Sequence, residues 1–266
     1  WEINAYDIRA IARTLMQVAH GTVQQTISSV QRPLGRLDLS VLVAEDNPVN
    51  REILKEQLKA LGVQVTLAED GEQALLRWNE ASFDLVITDV NMPRLDGYQL
   101  TRRLRELDPL VPIIGVTANA MREEGEQCLK AGMNVWLVKP LSLTTLRQTL
   151  SVYCSRSAQP QPPTLQAGEE VVQKDDLEDW ITLSPSMHRL FITTMHQDLA
   201  QAQQALQEAN TSKLLNHVHR MHGSFATVGA VALAEACNEC EIGLLREPLS
   251  AESASRIQAL LKRLHR

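Results

Sequence analysis

The sequence predicts a protein of two parts, an α/β domain with a doubly wound five-stranded parallel sheet, followed by an all-α antiparallel helical bundle. Two observations lead to this prediction. Between residues 39 and 153, five short apolar runs alternate with amphipathic helical patterns at spacings of roughly 20–28 residues, which is typical of βα units. Beyond Lys174 the patterns are helical throughout and are separated by short turns, which favours a bundle.

The elements of the α/β domain can be placed from local signals. The predicted strands begin near Val41, Val63, Asp84, Val111 and Asn134. Asn47-Pro48 is an N-cap with proline at the first helical position. Asp70-Gly71 and Asp96-Gly97 open the next two helices, and the last helix runs from about Ser142 to Tyr153.

The bundle is predicted to contain four helices. Ser184-Pro185 begins the first, Thr211 caps the second, and residues 231–245 form the third. Ser250 is the predicted cap of the fourth.

Two segments outside these domains have different patterns. The N-terminal residues contain an amphipathic helical stripe followed by a linker, and the segment after residue 153 is rich in Pro and Gln. The chain begins with Trp1, and we expect it to be part of a longer protein. We expect the N-terminal helix and its linker at residues 1–38 and the α/β domain at residues 39–153. The second linker is expected at residues 154–174 and the bundle at residues 175–266.

The composition favours a cytosolic globular protein. Hydrophobic residues make up 44% of the chain and charged residues 22%, which is ordinary for globular domains. The net charge of −6 gives no sign of a nucleic-acid surface. No apolar run approaches the roughly 20 residues that a membrane span needs, so we expect no membrane contact. The four cysteines form no disulfide framework, and we interpret them as reduced thiols.

Polar side chains follow four of the predicted strands. Glu45-Asp46, Asp89, Thr117 and Lys139 come after the first, third, fourth and fifth apolar runs. Because parallel strands end at the same edge of a sheet, we expect these groups to converge. Three carboxylates in one place need a cation, and oxygen ligands suit Mg²⁺. Such an ion would neutralise a phosphoryl group arriving at Asp89, while Lys139 and the Thr117 hydroxyl hold its other oxygens.

These residues stand in motifs that resemble the response-regulator receiver domain over about residues 39–153. The motifs are Val-Leu-Val-Ala-Glu45-Asp46, Thr88-Asp89-Val-Asn91-Met-Pro93, Val-Thr117-Ala and Val-Lys139-Pro140. The resemblance implies a flavodoxin-like fold and Asp89 as phosphoacceptor. It also implies Asp46, Asp89 and the Asn91 carbonyl as metal ligands, with Glu45 acting through water.

The same resemblance implies two further features near the end of the sheet. The peptide bond before Pro140 is expected to be cis, which would orient Lys139. Trp136 stands where the family usually has Tyr or Phe as a switch aromatic, and an indole is larger than either ring.

The bundle has three histidines on one predicted helix, His217, His219 and His222. The apolar stripe of that helix contains Leu214, Val218, Met221 and Phe225. We expect His219 and His222 to share an exposed face and His217 to lie at the edge of the stripe. Three interpretations are open for His219: a surface histidine without a role, half of a zinc site with His222, or an imidazole that accepts a phosphoryl group.

The sequence Val-His219-Arg-Met-His222-Gly, followed by Gly229-Ala230, resembles the His-x-x-Lys-Gly motif of histidine phosphotransfer (Hpt) domains. The resemblance covers about residues 176–266 and implies that His219 is the phosphoacceptor. His222 takes the place of the usual Lys.

A receiver followed by an Hpt domain resembles the C-terminal half of tripartite hybrid sensor histidine kinases of bacterial two-component systems. This order implies that a histidine kinase core in the same parent chain passes a phosphoryl group to Asp89. From there it would move to His219 and then to the receiver domain of a separate response regulator. The parent would be a kinase anchored in the bacterial inner membrane, whereas these residues lack Gly-rich ATP-binding boxes. The alternative is a docking or dimerisation module that transfers nothing.

Overall fold

The computed structural model describes residues 37–119, 122–154, 184–246, 249 and 251–264. The chain forms two compact units, whose described parts we call the α/β unit (residues 37–154) and the helical unit (residues 184–264). The predicted N-terminal helix, the predicted linker beyond Cys154 and the predicted cap Ser250 lie outside the described residues.

The α/β unit contains five parallel strands in the order β2-β1-β3-β4-β5. The strands are β1 Ser40–Ala44, β2 Gln64–Ala68, β3 Leu85–Asp89, β4 Ile113–Thr117 and β5 Val135–Val138. The helices between and after them are α1 Pro48–Ala60, α2 Gly71–Glu80, α3 Gly97–Leu107, α4 Arg122–Ala131 and α5 Leu143–Cys154. The predicted doubly wound parallel sheet is confirmed.

Helices cover both faces of this sheet because successive side chains of a strand point to opposite sides. On one face, Val43 and Ile87 pack with Leu54 and Leu58 of α1 and with Leu146 of α5. On the other face, Leu42, Ala44 and Val86 pack with side chains of α2, α3 and α4. The strands are therefore buried on both sides, and the polar groups that follow them collect at the open edge.

Side-chain caps fix where the helices of this unit begin. The Asn47 side chain accepts a hydrogen bond from the Val49 backbone N at 2.9 Å, and Asp70 accepts one from the Gln73 N at 2.8 Å. Asp96 forms a capping box with Gln99 at the start of α3. These side chains satisfy backbone N–H groups that have no partner within the helix. The predicted caps are confirmed.

Gly97 brings the start of α3 directly against the end of β3. A Cβ on Gly97 would lie 2.2 Å from the carbonyl oxygen of Asp89, a distance at which two heavy atoms overlap. The Gly97 backbone N donates to the carbonyl oxygen of Val90 at 2.9 Å. Any side chain at residue 97 would therefore push α3 away from the strand that ends in Asp89.

The helical unit contains α6 Pro185–Gln207, α7 Thr211–Thr227, α8 Val231–Arg246 and α9 Ala251–Leu264. Helix α7 packs against α6 and α8, and α9 packs against α8 and α6. Short connections at residues 208–210 and 228–230 join successive helices, as in an antiparallel bundle. Phe191 and Phe225 meet edge to face across α6 and α7, with ring centroids 6.2 Å apart.

One predicted cap in the bundle was wrong by one residue. Ser184 accepts from the Met187 backbone N at 3.3 Å, as predicted. Helix α7, however, is capped by Asn210, whose side chain accepts from the Lys213 N at 3.0 Å, and Thr211 is its first residue. Both residue types are good caps, so the sequence alone did not separate them. None of the described helices is long and apolar enough to cross a membrane.

Candidate functional site

The first site lies at the carboxyl edge of the sheet. The strand register pairs Ala44 with Thr88, Asp89 with Val116, and Thr117 with Val138. The residues that end these strands therefore meet at one edge. Glu45, Asp46 and Asp89 each offer a carboxylate oxygen within 4.8 Å of the other two.

Lys139 places a buried ammonium group at this edge. Its Nζ lies 2.6 Å from Asp89 Oδ2 and 2.8 Å from Glu45 Oε2, and its side chain is only 6% exposed. Burial by itself lowers the pKa of Lys139, but the neighbouring charges of Asp89 and Glu45 outweigh it and raise that pKa. The Lys139-Pro140 peptide bond is cis, as the resemblance implies.

Glu45 is held from several sides and is buried. Its Oε1 accepts hydrogen bonds from the Asn47 backbone N and from Asn50 Nδ2, both at 3.2 Å. Burial raises the pKa of Glu45 to about 8, although the Lys139 charge opposes that rise. Together with Asp46 and Asp89, Glu45 places three groups of carboxylate oxygens side by side at this edge. The site therefore suits an additional cation with a preference for oxygen ligands, such as Mg²⁺.

The other predicted residues, Asn91 and Thr117, lie at the same edge of the sheet. The Asn91 backbone N donates to Asp89 Oδ1 at 3.0 Å, and the Asn91 amide donates to Glu124 Oε1 at 3.3 Å. Thr117 is fully buried, and its hydroxyl oxygen accepts from the Asn119 N at 3.0 Å. The structure thus brings all the residues predicted for this site to one end of the sheet.

Trp136 lies on β5 and packs against α4. A Cβ on Gly125 of α4 would come within 2.3 Å of Trp136 Cε2, so the indole occupies the space that a side chain at residue 125 would fill. Sequence reasoning missed Gly125. An isolated glycine inside a helical pattern was the available signal, because such a glycine often has a packing reason.

The second site contains His219, His222 and Glu241. His219 Nδ1 is hydrogen-bonded to Glu241 Oε1, and His222 Nδ1 lies 3.0 Å from Glu241 Oε2. The expectation that both histidines are exposed was wrong, because their side chains are 15% and 6% exposed. Helix α8 packs against this face of α7 and covers it.

Glu241 is the residue of this cluster that sequence reasoning missed. It lies four residues after Cys237 and three before Leu244, which are both buried, so it falls on the inner stripe of α8. Burial alone would raise the pKa of Glu241, but hydrogen bonds with His219 and His222 lower it to about 2. A carboxylate on an apolar stripe was the signal that could have revealed it.

His217 contacts a different carboxylate. Its Nδ1 lies 3.1 Å from Asp198 Oδ1, and Arg220 Nε lies 3.1 Å from the same oxygen. Asp198 is buried on the inner face of α6. His217 therefore belongs to a contact between α6 and α7, separate from the His219 cluster.

Comparisons with known proteins identify both units. The model of the "Response regulator receiver domain" family matches residues 41–151, and that of the "Hpt domain" family matches residues 186–266. The chain is a receiver–Hpt module. The aspartate-containing edge of the sheet thus lies in the receiver domain, and the His219 cluster lies in the Hpt domain.

Bacterial sensor proteins are among the relatives of this receiver–Hpt module. It is 38% identical to Sensor protein EvgS of Escherichia coli over 223 residues, which is 84% of this chain and 18% of EvgS. It is 34% identical to Virulence sensor protein BvgS of Bordetella bronchiseptica over 219 residues, covering 75% of this chain and 18% of BvgS. The chain spans less than a fifth of the length of these relatives.

Other similar proteins match a shorter part of the chain. The chain is 48% identical to Sensor histidine kinase RcsC of Salmonella typhimurium over 119 residues, which is 45% of this chain and 13% of RcsC. A solved receiver domain of a Pseudomonas aeruginosa sensor histidine kinase, described with a magnesium ion in its active site cleft, is 39% identical. It covers 44% of this chain and 98% of its own, with a TM-score of 0.42.

Proposed function

We propose that Asp89 of the receiver domain accepts a phosphoryl group and passes it to an Hpt histidine, His219. The observation that supports this most directly is the position of Asp89, a buried carboxylate at the end of β3 beside the Lys139 ammonium. A carboxylate oxygen of Asp89 attacks phosphorus, the bond to the donor breaks, and an acyl phosphate forms. In the next step the His219 imidazole attacks phosphorus and the Asp89 carboxylate leaves.

Asp46, Asp89 and the Asn91 carbonyl would hold Mg²⁺, with Glu45 acting through water. Support comes from the three carboxylates, whose oxygen atoms lie within 4.8 Å of one another, and from the preference of Mg²⁺ for oxygen ligands. When bound, the ion supplies positive charge next to the phosphoryl oxygens. In our proposal Lys139 and the Thr117 hydroxyl bind the remaining oxygens of the phosphoryl group.

Glu241 prepares His219 for its part of the reaction. We assign the His219 proton to Nδ1, because the Glu241 carboxylate is ionised and can only accept a hydrogen bond. In a neutral imidazole with a proton on Nδ1, the lone pair is on Nε2. Nε2 is therefore the nitrogen that attacks phosphorus, and Glu241 stabilises the positive charge that develops on the ring.

The donor and acceptor of the module follow from the class of its relatives. We propose that the parent protein is a histidine kinase anchored in the bacterial inner membrane. Its kinase core would donate the phosphoryl group to Asp89. The acceptor downstream of His219 would be the receiver domain of a separate response regulator. In this proposal the receiver and Hpt domains, at residues 39–153 and 175–266, work in the cytoplasm.

The test is phosphorylation of the whole chain with labelled acetyl phosphate and Mg²⁺. The wild-type chain is expected to carry both an acyl phosphate and an acid-labile, alkali-stable phosphoimidazole. Asp89→Asn should lose both, and His219→Gln should keep the acyl phosphate alone. Asp96→Asn is the matched control, because asparagine retains the cap of α3.

Equal labelling of the wild type and Asp89→Asn would contradict the assignment of Asp89. Phosphoimidazole in His219→Gln would contradict the assignment of His219. If no variant and no wild-type protein took up label, the module would instead dock or dimerise without transferring phosphate.

A further inference from the structure

His219, His222 and Glu241 form a compact group of ligand atoms in the Hpt domain. The two histidines are three residues apart on α7, and the acid comes from the facing helix α8. One nitrogen from each ring and one carboxylate oxygen all lie within 4.8 Å of one another. The group therefore joins two helices that pack directly against each other.

The donor types distinguish this group from the carboxylate cluster of the receiver domain. Imidazole nitrogens suit Zn²⁺, Cu²⁺ and Ni²⁺, whereas Mg²⁺ prefers oxygen ligands. Two histidines and one glutamate are a ligand set known from zinc sites in which a fourth position stays open. An ion of this class would select the His219 cluster over the oxygen-only cluster around Asp89.

The geometry requires only a small adjustment to hold an ion. In a tetrahedral site with metal–nitrogen distances of 2.0–2.1 Å, ligand atoms lie roughly 3.3 Å apart. His222 Nδ1 already lies 3.0 Å from Glu241 Oε2, and His219 Nδ1 is in hydrogen-bond contact with Oε1.

We propose that His219, His222 and Glu241 form a binding site for a divalent transition-metal ion such as Zn²⁺, and that the bound ion stops His219 from accepting a phosphoryl group. The ion takes the Nδ1 lone pairs of both rings and an oxygen of Glu241. Each neutral ring keeps its proton by moving it through solvent from Nδ1 to Nε2. With a proton on Nε2, His219 has no lone pair there to attack phosphorus. This consequence rests on the proposed function, whereas the metal site itself does not.

The binding test is a calorimetric titration of the whole chain with Zn²⁺ in excess Mg²⁺, which occupies oxygen-only sites. The wild-type chain should bind one equivalent of Zn²⁺. His222→Gln and Glu241→Gln should each bind that ion at least about tenfold more weakly, because even the loss of a residue that hydrogen-bonds to a metal ligand changes metal affinity by about 10–100-fold. Glu239→Gln, an exposed acid on the same helix, is the matched control and should bind like the wild type. Circular dichroism verifies folding, and His222→Gln carries the test if Glu241→Gln unfolds the bundle.

Two results would overturn the site. One is unchanged Zn²⁺ affinity in His222→Gln. The other is a thiolate-to-metal charge-transfer band when Co²⁺ replaces Zn²⁺, which would assign binding to Cys237 or Cys240.

A transfer assay then separates the site from its consequence. Zn²⁺ should block formation of phosphoimidazole but not of the Asp89 acyl phosphate, and a chelator should restore it. If Zn²⁺ binds at these residues while transfer continues, the assignment of Nε2 as nucleophile fails and the metal site stands.

Discussion

Asp89 Oδ2 lies 2.6 Å from Lys139 Nζ, so the proposed phosphoacceptor is already paired with a buried cation. The same ammonium also contacts Glu45, at 2.8 Å. When Asp89 gains a phosphoryl group, its carboxylate becomes an ester-like acyl group and loses its charge, while the new charge lies on the phosphoryl oxygens. We therefore expect the Lys139 ammonium to move from the Asp89 carboxylate towards the phosphoryl oxygens.

Lys139→Met should destabilise the α/β unit and abolish phosphorylation of Asp89. Removing one partner of a buried ion pair leaves an uncompensated charge and costs about 3–5 kcal/mol. Urea denaturation in a chelator, with hydrogen exchange of the β3 amides as the readout, measures the loss. Lys130→Met removes an exposed lysine of α4 and serves as control. A Lys139→Met protein as stable as the control would show that the ion pair contributes nothing.

Asp46→Asn should weaken Mg²⁺ binding far more than Glu45→Gln does. In our proposal Asp46 contacts the ion directly, whereas Glu45 acts through water. The Glu45 carboxylate already accepts hydrogen bonds from Lys139 and Asn50. Mg²⁺ titrations followed by calorimetry, together with acetyl phosphate labelling at several Mg²⁺ concentrations, measure the difference. Wild-type Mg²⁺ dependence in Asp46→Asn would remove this residue from the site.

Gly125→Ala should destabilise the receiver domain even though alanine favours helices by about 1 kcal/mol over glycine. Its Cβ would lie 2.3 Å from Trp136 Cε2, and such overpacking costs about 1–3 kcal/mol. Gly243→Ala on α8 is the matched control, because nothing lies within 4 Å of its Cβ position, and we expect it to be neutral or stabilising. In a Trp136→Phe background the cost of Gly125→Ala should fall. An equal cost in both backgrounds would contradict the clash.

Asp70→Ala should cost about 1 kcal/mol of stability at neutral pH, because the side chain caps α2. Burial alone would raise the pKa of Asp70, but the Gln73 N–H and Arg94 outweigh it and lower that pKa below 3.8. An acid with a lowered folded-state pKa stabilises the fold above its unfolded pKa and loses this effect as pH falls through the folded pKa. The difference between Asp70→Ala and the wild type should therefore shrink below pH 3.8 in urea denaturation series at different pH. A difference that stayed constant down to about pH 2 would show that the charge of Asp70 is irrelevant.

The elements of the fold were predictable because their signals are local. Asn47-Pro48 and Asp96-Gly97 each combine a cap with a turn, and the apolar runs between them have strand length. The convergence of Asp89 and Lys139 was also predictable, because residues after parallel strands meet at one edge of the sheet. Neither prediction required knowledge of how one helix is oriented against another.

The surroundings of His219 did need that knowledge. A helical periodicity shows which residues share a face, but several faces of α7 are covered by neighbouring helices. His222 was expected on an exposed face and is buried because α8 brings Glu241 over it. The pairing of Gly125 with Trp136 is likewise a tertiary contact between a helix and a strand far apart in sequence.

Gly97 limits how this receiver domain can be recombined with others. Because a Cβ there would overlap the Asp89 carbonyl oxygen, a chimera that replaces α3 must keep glycine at its first position. Any other residue would change the position of the strand end that carries Asp89, the proposed phosphoacceptor. Substitutions on the exposed face of α3 that leave Gly97 in place should therefore preserve the position of Asp89.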